Sequence, residues 1–332
     1  MKKRAIFMWV GLATLACMSL FPARAAEITI QIGYENHPGE PIDEGCKEWK
    51  RLVEEMSNGT MKVELYPSSQ LGTKNDIMDQ MIAGDSVVTL ADGSFFAERG
   101  APDFDITVAP YITDNIEQFW KLLDSSWWKE QEAILENKAG MKLLAANWVY
   151  GTRHTLSNRP IRKVEDMKGL KIRVPNSPIF ISTFEALGAA PTPLPLGEVY
   201  TALQQGVVDG VENPLPVLYN GKFQEVSKYL TLDGHMIFTT SWVCGTDFFN
   251  SLTAEQQNIL LEAGRLAGFR NNEVVEKMTA EMIGKFKSEG VEIIEVDTAE
   301  FRKTTEKVYS DPRIVNKWTP GLYERIQKEL GK

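Results

Sequence analysis

Short apolar runs that read as strands alternate with segments of helical spacing along almost the whole chain, and this alternation constrains the fold more than any other feature. The strand-like runs are 28–32, 62–66, 87–91, 141–146, 171–174, 207–211, 236–243 and 291–296. Between the first two, Ile42, Cys46, Trp49, Val53 and Met56 recur every three or four residues, which puts them on one face of a helix with charged residues opposite. A longer helix is predicted from Thr253, an N-cap with Gln256 three residues on, to a stop at Gly290. Its Ala263, Gly264, Ala267 and Gly268 form a face of small residues that another backbone can approach closely. The pattern predicts an α/β fold, and 332 residues suffice for two domains of ordinary size.

The first 25 residues have a separate logic. Lys2, Lys3 and Arg4 precede an apolar run from Ala5 to Leu20, and Ala23-Arg24-Ala25 offers a small-x-small cleavage site. That is the form of a secretory signal peptide, and it predicts export to the periplasm. Removing its four basic residues leaves 32 basic against 45 acidic, a formal charge of −13. Such a balance argues against nucleic acid as a partner. Cys46 on an apolar helix stripe and Cys244 at a strand end are expected to be buried free thiols. His37, His154 and His235 are far apart, and the chain lacks the G-x-S-x-G, H-E-x-x-H and phosphate-loop motifs, so no catalytic, metal or cofactor site is expected.

Chemistry concentrates between residues 151 and 214. Arg153 follows one apolar run, Arg173 lies in a second, and Asn213 follows a third. Open α/β sheets gather ligands at strand ends. A guanidinium holds a carboxylate through two parallel hydrogen bonds and an amide adds a donor, so the three predict a receptor for an organic acid anion.

Four ordered motifs carry a resemblance that covers nearly all of the chain: YPSSQLG at 66–72, GTRHTLSNR at 151–159, MKGLKIRVPN at 167–176 and EVYTALQQGVVDGVENP at 198–214. They resemble the solute-binding proteins of tripartite ATP-independent periplasmic (TRAP) transporters, the family of the C4-dicarboxylate and sialate receptors. The resemblance implies a two-lobed periplasmic-binding-protein fold with the long helix spanning both lobes. It places 26–150 with 238–278 in the first lobe and 151–237 with 279–332 in the second. It implies a bidentate role for Arg173, assisted by Arg153 and Asn213, with Asn176 closing the same motif. It also implies a monomer that hands its ligand to a membrane-embedded permease.

By the same resemblance, Tyr34, Glu35, Lys74, Asp92 and Phe95 of the first lobe read the rest of the ligand. Here the chain departs from the sialate pattern, with Glu35 for an asparagine, Lys74 for an aspartate, and Asp92 and Phe95 for a glutamate and an arginine; Leu196 stands where a phenylalanine is often found. Two carboxylates favour hydroxyl groups and repel a second ligand charge, which points to a hexuronate, an aldonate or a keto sugar acid. The alternative for these side chains is that Glu35 or Asp92 simply pairs with Lys74. Trp148, Tyr150, Phe180 and Trp242 are candidates to stack on a sugar face, and Thr240 completes the candidate contacts. A sialate or C4-dicarboxylate receptor, and an exported sensor or enzyme on the same scaffold, stay open at this level.

Overall fold

The computed structural model describes residues 28–332, so the expected signal segment lies outside the described residues. Nine strands form one mixed sheet: β1 (Ile28–Gly33), β2 (Met61–Tyr66), β3 (Val87–Ala91), β4 (Met141–Ser157), β5 (Lys171–Val174), β6 (Ala190–Pro193), β7 (Gly210–Pro214), β8 (Tyr229–Gly245) and β9 (Glu292–Glu295). Their order is β2-β1-β3-β8-β4-β7-β5-β6, with β9 alongside β8. The strands β1, β2 and β3 pair in parallel at one end, and β5, β6 and β7 do so at the other.

Between these groups run β4 and β8, antiparallel and 17 residues each. At a rise of about 3.3 Å per residue such a strand covers about 55 Å. The helix Ala254–Ser288 has 35 residues, and at about 1.5 Å each it covers about 52 Å. The two strands and this helix are therefore long enough to belong to both lobes. The Thr253 and Gln256 capping box begins the helix as the sequence predicts.

Strand boundaries moved where local sequence misleads. The run expected at 141–146 continues to Ser157, because β4 passes through register shifts at Leu143/Ala145, Ala145/Trp148, Val149/Gly151 and Arg153/Thr155 that break its alternation. Arg153 is therefore inside a strand rather than beyond one. The run expected at 207–211 begins instead at Gly210, and Val207, 50% exposed, is in the preceding turn. Asn213 consequently also lies within its strand. The strand β6, Ala-Pro-Thr-Pro, went unread because two prolines argue against a strand; at the sheet edge a missing N–H costs no ladder bond.

Trp148 and Trp242 belong to the core, contrary to the expectation that they stack on ligand. Both are fully buried: Trp242 meets Trp49 and Trp148 edge to face, Trp148 meets Trp49 at a tilt, and the ring centroids are 5.1 to 6.0 Å apart. Trp148 Nε1 donates to the Gly264 carbonyl at 3.0 Å, and Trp49 Nε1 to that of Leu260 at 3.2 Å. The small residues of the long helix thus admit side chains, not another backbone: a Cβ on Gly264 would lie 2.8 Å from the Trp49 ring, and one on Gly268 2.7 Å from the Asn147 amide. Next to them, Asn271 and Asn272 bond the β4 backbone where its ladder is irregular. Asn271 Nδ2 donates to the Val149 carbonyl (2.7 Å), Asn272 Nδ2 donates to that of Asn147 (2.9 Å), and Asn272 Oδ1 accepts from Val149 N–H (2.8 Å).

The C-terminal segment, assigned above to the second lobe, contacts residues on both sides of the expected division. Asp311 accepts from Ser182 Oγ and Arg313 pairs with Glu185, each at 2.6 Å on the helix Pro178–Ala186. Beyond them, Thr319 N–H donates to Asp103 (2.7 Å), Arg325 pairs with Glu130 and Lys332 with Asp114, all on residues that the resemblance assigns to the first lobe. Cys46 and Cys244 are free and buried, as read. Among the described residues no helix is long and apolar enough to cross a membrane.

Replacing Trp148 by Phe keeps the ring contact but removes the bond to Gly264, and should lower unfolding free energy by about 1 to 3 kcal/mol. Ligand affinity of the folded protein should be unchanged. Chemical denaturation and calorimetry on the same preparation check both halves.

Candidate functional site

The carboxyl ends of β1 and β3 face those of β5, β6 and β7 across a cavity of about 220 Å³. Glu35 follows β1, Asp92 follows β3, and Lys74 opens the helix Lys74–Ile82. From the other side come Arg173 of β5, Asn176 just beyond it, Leu196 after β6 and Asn213 of β7, while Tyr150 and Arg153 of β4 line the junction. Phe95 lies beside Lys74, whose ammonium sits 4.3 Å from the ring centroid. Five expected residues are absent from the lining. Tyr34 is buried with its hydroxyl on Asp43 at 2.7 Å, Thr240 donates to the Ala91 carbonyl at 3.2 Å, Phe180 is buried with its ring against the Arg153 guanidinium, and Trp148 and Trp242 are in the tryptophan cluster.

The two arginines are held differently. In β4–β7 pairing Arg153 is opposite Pro214 and Thr155 opposite Glu212, so Arg153 and Glu212 are diagonal neighbours. Glu212 receives Arg153 Nε and Nη2 at 2.5 and 2.6 Å. The Arg153 guanidinium also lies against the rings of Phe180 and Phe238, 5.1 and 4.5 Å from their centroids. Its charge is thus already balanced within the protein, whereas the sequence predicts that it turns to ligand. Sequence reasoning missed Glu212, although it stands beside Asn213 in the same motif.

A wider network backs Glu212. His235 Nε2 lies 3.1 Å from Glu212, and its Nδ1 lies 3.2 Å from Asp233, which also accepts from Thr155 Oγ1 at 2.8 Å. Burial pushes Glu212 up, but Arg153 and His235 outweigh it and hold the carboxyl down at about 2. Burial likewise opposes charge on His235, and Asp233 with Glu212 carries it up to about 9. His154 is the reverse case: burial takes it down to about 4 against the pull of Asp233, and its Nδ1 accepts the Gly234 N–H at 3.1 Å. A neutral His154 turned to that N–H has no part in the cavity.

Arg173 is 4% exposed. Its Nε and Nη2 both donate to the Leu194 carbonyl, at 2.8 and 2.6 Å, and Pro193 and Pro195 stiffen that acceptor on either side. Among the described residues no carboxylate forms a salt bridge with it, and its Nη1 has no acceptor. Burial lowers its pKa to about 10, which leaves it charged at neutral pH. An enclosed cation held from one side, with its other edge on a cavity, has the chemistry to hold an anion.

The opposite wall carries compensated charge. Lys74 occupies the first position of its helix, where the dipole disfavours a cation, and Glu35 lies 3.2 Å from its ammonium. The pairing left as an alternative above is therefore formed, and both partners still line the cavity. Asp92 caps the helix Gly93–Ala97, with Oδ1 accepting Ser94 N–H (3.0 Å) and Ser94 Oγ (2.6 Å). Its Oδ2 has no partner among the described residues.

Residues 32–314 match the family model for bacterial extracellular solute-binding protein, family 7. A TRAP periplasmic solute-binding protein from Ochrobacterium anthropi, solved with bound L-fuconate, is 46% identical with a TM-score of 0.88, covering 92% of this chain and 100% of its own. One from Actinobacillus succinogenes 130z, solved with bound L-galactonate, is 37% identical at the same TM-score of 0.88, with 91% and 99% covered. The sialic acid-binding periplasmic protein SiaP of Vibrio cholerae is 32% identical over 302 residues, 90% of this chain and 93% of its own. These relatives are binding receptors rather than enzymes, and the two-lobed α/β fold is common to them. The chain belongs to family 7 of the bacterial extracellular solute-binding proteins, the receptors of TRAP transporters.

Proposed function

We propose that this receptor captures a sugar acid, a hydroxylated monocarboxylate of the aldonate, hexuronate or keto sugar acid kind, and delivers it to a TRAP permease in the membrane. The observation that carries the assignment is Arg173, a buried cation without a carboxylate of its own, turned toward a cavity. The ligand carboxylate takes the Nη edge of that guanidinium, assisted by Asn213 and Asn176. Arg153, already paired with Glu212, acts as a rigid wall with a positive face. Two relatives hold L-fuconate and L-galactonate, which favours an open-chain aldonate over a ring form.

Glu35, Lys74 and Asp92 meet the far end of the ligand. Glu35 and Lys74 cancel each other's charge, so Asp92 leaves that wall net negative and suited to hydroxyl donors. A second carboxylate placed there would face repulsion without a free cation to pair with. In this scheme residues 1–25 direct export, residues 26–150 with 238–278 form the first lobe and 151–237 with 279–332 the second. Ligand favours closure through its contacts with both walls. The crossing of the C-terminal segment onto both halves supports a shared, hinged back rather than a strict division there.

Arg173→Lys keeps a charge but loses the planar edge, and truncating such a buried partner costs roughly 2 to 5 kcal/mol, on the order of a 30-fold to several-thousand-fold loss of affinity. Calorimetry with L-galactonate checks this, and an affinity within about threefold of the parent would remove the assigned role.

A thermal-shift panel tests the ligand class. Aldonates and uronates should raise the melting temperature and succinate should not. Asp92→Asn should weaken the sugar acid and narrow its advantage over succinate. A parent protein stabilised by succinate above every sugar acid would refute the sugar-acid reading and leave the receptor assignment standing.

A further inference from the structure

The turn after β1 holds a carboxyl group that the anion site does not use. Glu40 is fully enclosed, and among the described residues no cation pairs with it. Its Oε1 accepts the His37 backbone N–H at 2.9 Å, and its Oε2 accepts Asn36 Nδ2 at 2.7 Å. The same nitrogen donates to the Tyr150 hydroxyl at 3.0 Å. The return contact from that hydroxyl to Asn36 Oδ1 is 3.3 Å, longer than the upper end of about 3.0 Å for O–H···O bonds.

An amide has two N–H donors. With one on Glu40 and the other on Tyr150, the phenol oxygen accepts, and its own proton is left for another acceptor. Tyr150 lines the cavity, and its hydroxyl is near enough to feel Glu35, Arg153 and Arg173. We propose that Asn36 and Glu40 are positioning residues that present the Tyr150 hydroxyl to the bound acid as a hydrogen-bond donor, with the protonation state of Glu40 deciding whether they do so. The inference rests on the receptor assignment for its ligand.

The chemistry of the switch follows from the amide. An ionised Glu40 only accepts, so Asn36 turns its nitrogen to it. A protonated Glu40 donates from Oε2, and Asn36 must then turn its carbonyl oxygen that way. Tyr150 is drawn to donate to the same oxygen and is lost to the ligand. The groups around Glu40 are Asn36 and His37 of its own turn, Asp43 of the helix Pro41–Met56, and Tyr150 across on β4. Asp43 is itself engaged by Tyr34, Gly39 N–H and Lys47. Burial, opposed by the two hydrogen bonds and reinforced by Asp43, lifts Glu40 to about 8, which puts the change near neutrality.

The test measures the affinity ratio of parent to Tyr150→Phe for L-galactonate, by calorimetry, from about pH 6 to about pH 9.5, bracketing that value. Taking the ratio cancels any direct repulsion between ligand and Glu40. The ratio should rise with pH from near unity to roughly tenfold. In a Glu40→Gln background it should be flat, and Asn36→Ala should flatten it as well without altering the helix cap. In the ligand-free parent, the Asn36 side-chain amide resonances should titrate over the same window and stop doing so in Glu40→Gln. A ratio constant with pH while Glu40 is present, or an Asn36 amide indifferent to pH, overturns the proposal. Failure of L-galactonate to bind at any pH counts against the sugar-acid reading instead, and the amide titration then decides the relay by itself.

Discussion

Everything in this molecule hangs on the pairing of β4 with β8. These two 17-residue strands, with the 35-residue helix laid against them, join groups of parallel strands that would otherwise be separate small sheets. A perfectly regular ladder of that length would be a stiff and strongly twisted ribbon. Its four register shifts break it into shorter stretches, and the backbone groups freed near residues 147–149 are taken up by Asn271 and Asn272 of the helix. Polar side chains replace the missing ladder bonds there, and the tryptophan cluster packs beside them.

The cavity shows how identical side chains acquire different functions through their surroundings. Arg153 and Arg173 are both buried, yet one meets a carboxylate through two nitrogens and the other meets only a peptide carbonyl. A carbonyl orients a guanidinium without neutralising it. The desolvation of Arg173 is therefore offset by no carboxylate among the described residues, and an anion entering the cavity can supply that compensation. Around the cavity Glu212 is paired with Arg153 and Glu35 with Lys74, while Asp92 is held by Ser94.

Much of this was legible in the chain. Alternating patterns predicted the α/β class, the Thr253 capping box predicted where the long helix starts, and four motifs located Arg153, Arg173 and Asn213 before any coordinates. Other features were not legible for a physical reason. A bulged strand loses its period of two, so β4 read as a six-residue run followed by loop. An edge strand containing two prolines carries no strand signal. Trp148 sits two residues from Tyr150, and only the irregular register decides that the first goes into the core and the second to the cavity.

The sequence by itself determined the elements, the order in which they alternate and the residue types available to hold an acid, because propensity, periodicity and capping act over a few residues. Only the tertiary structure decided which arginine is free, since that depends on Glu212 lying diagonally across from Arg153 and on the Leu194 carbonyl reaching Arg173 from 21 residues away. It likewise decided that Glu40, Asn36 and Tyr150 form one chain of hydrogen bonds across 114 residues of sequence. Charge compensation is a property of neighbours in space, and no local pattern encodes it.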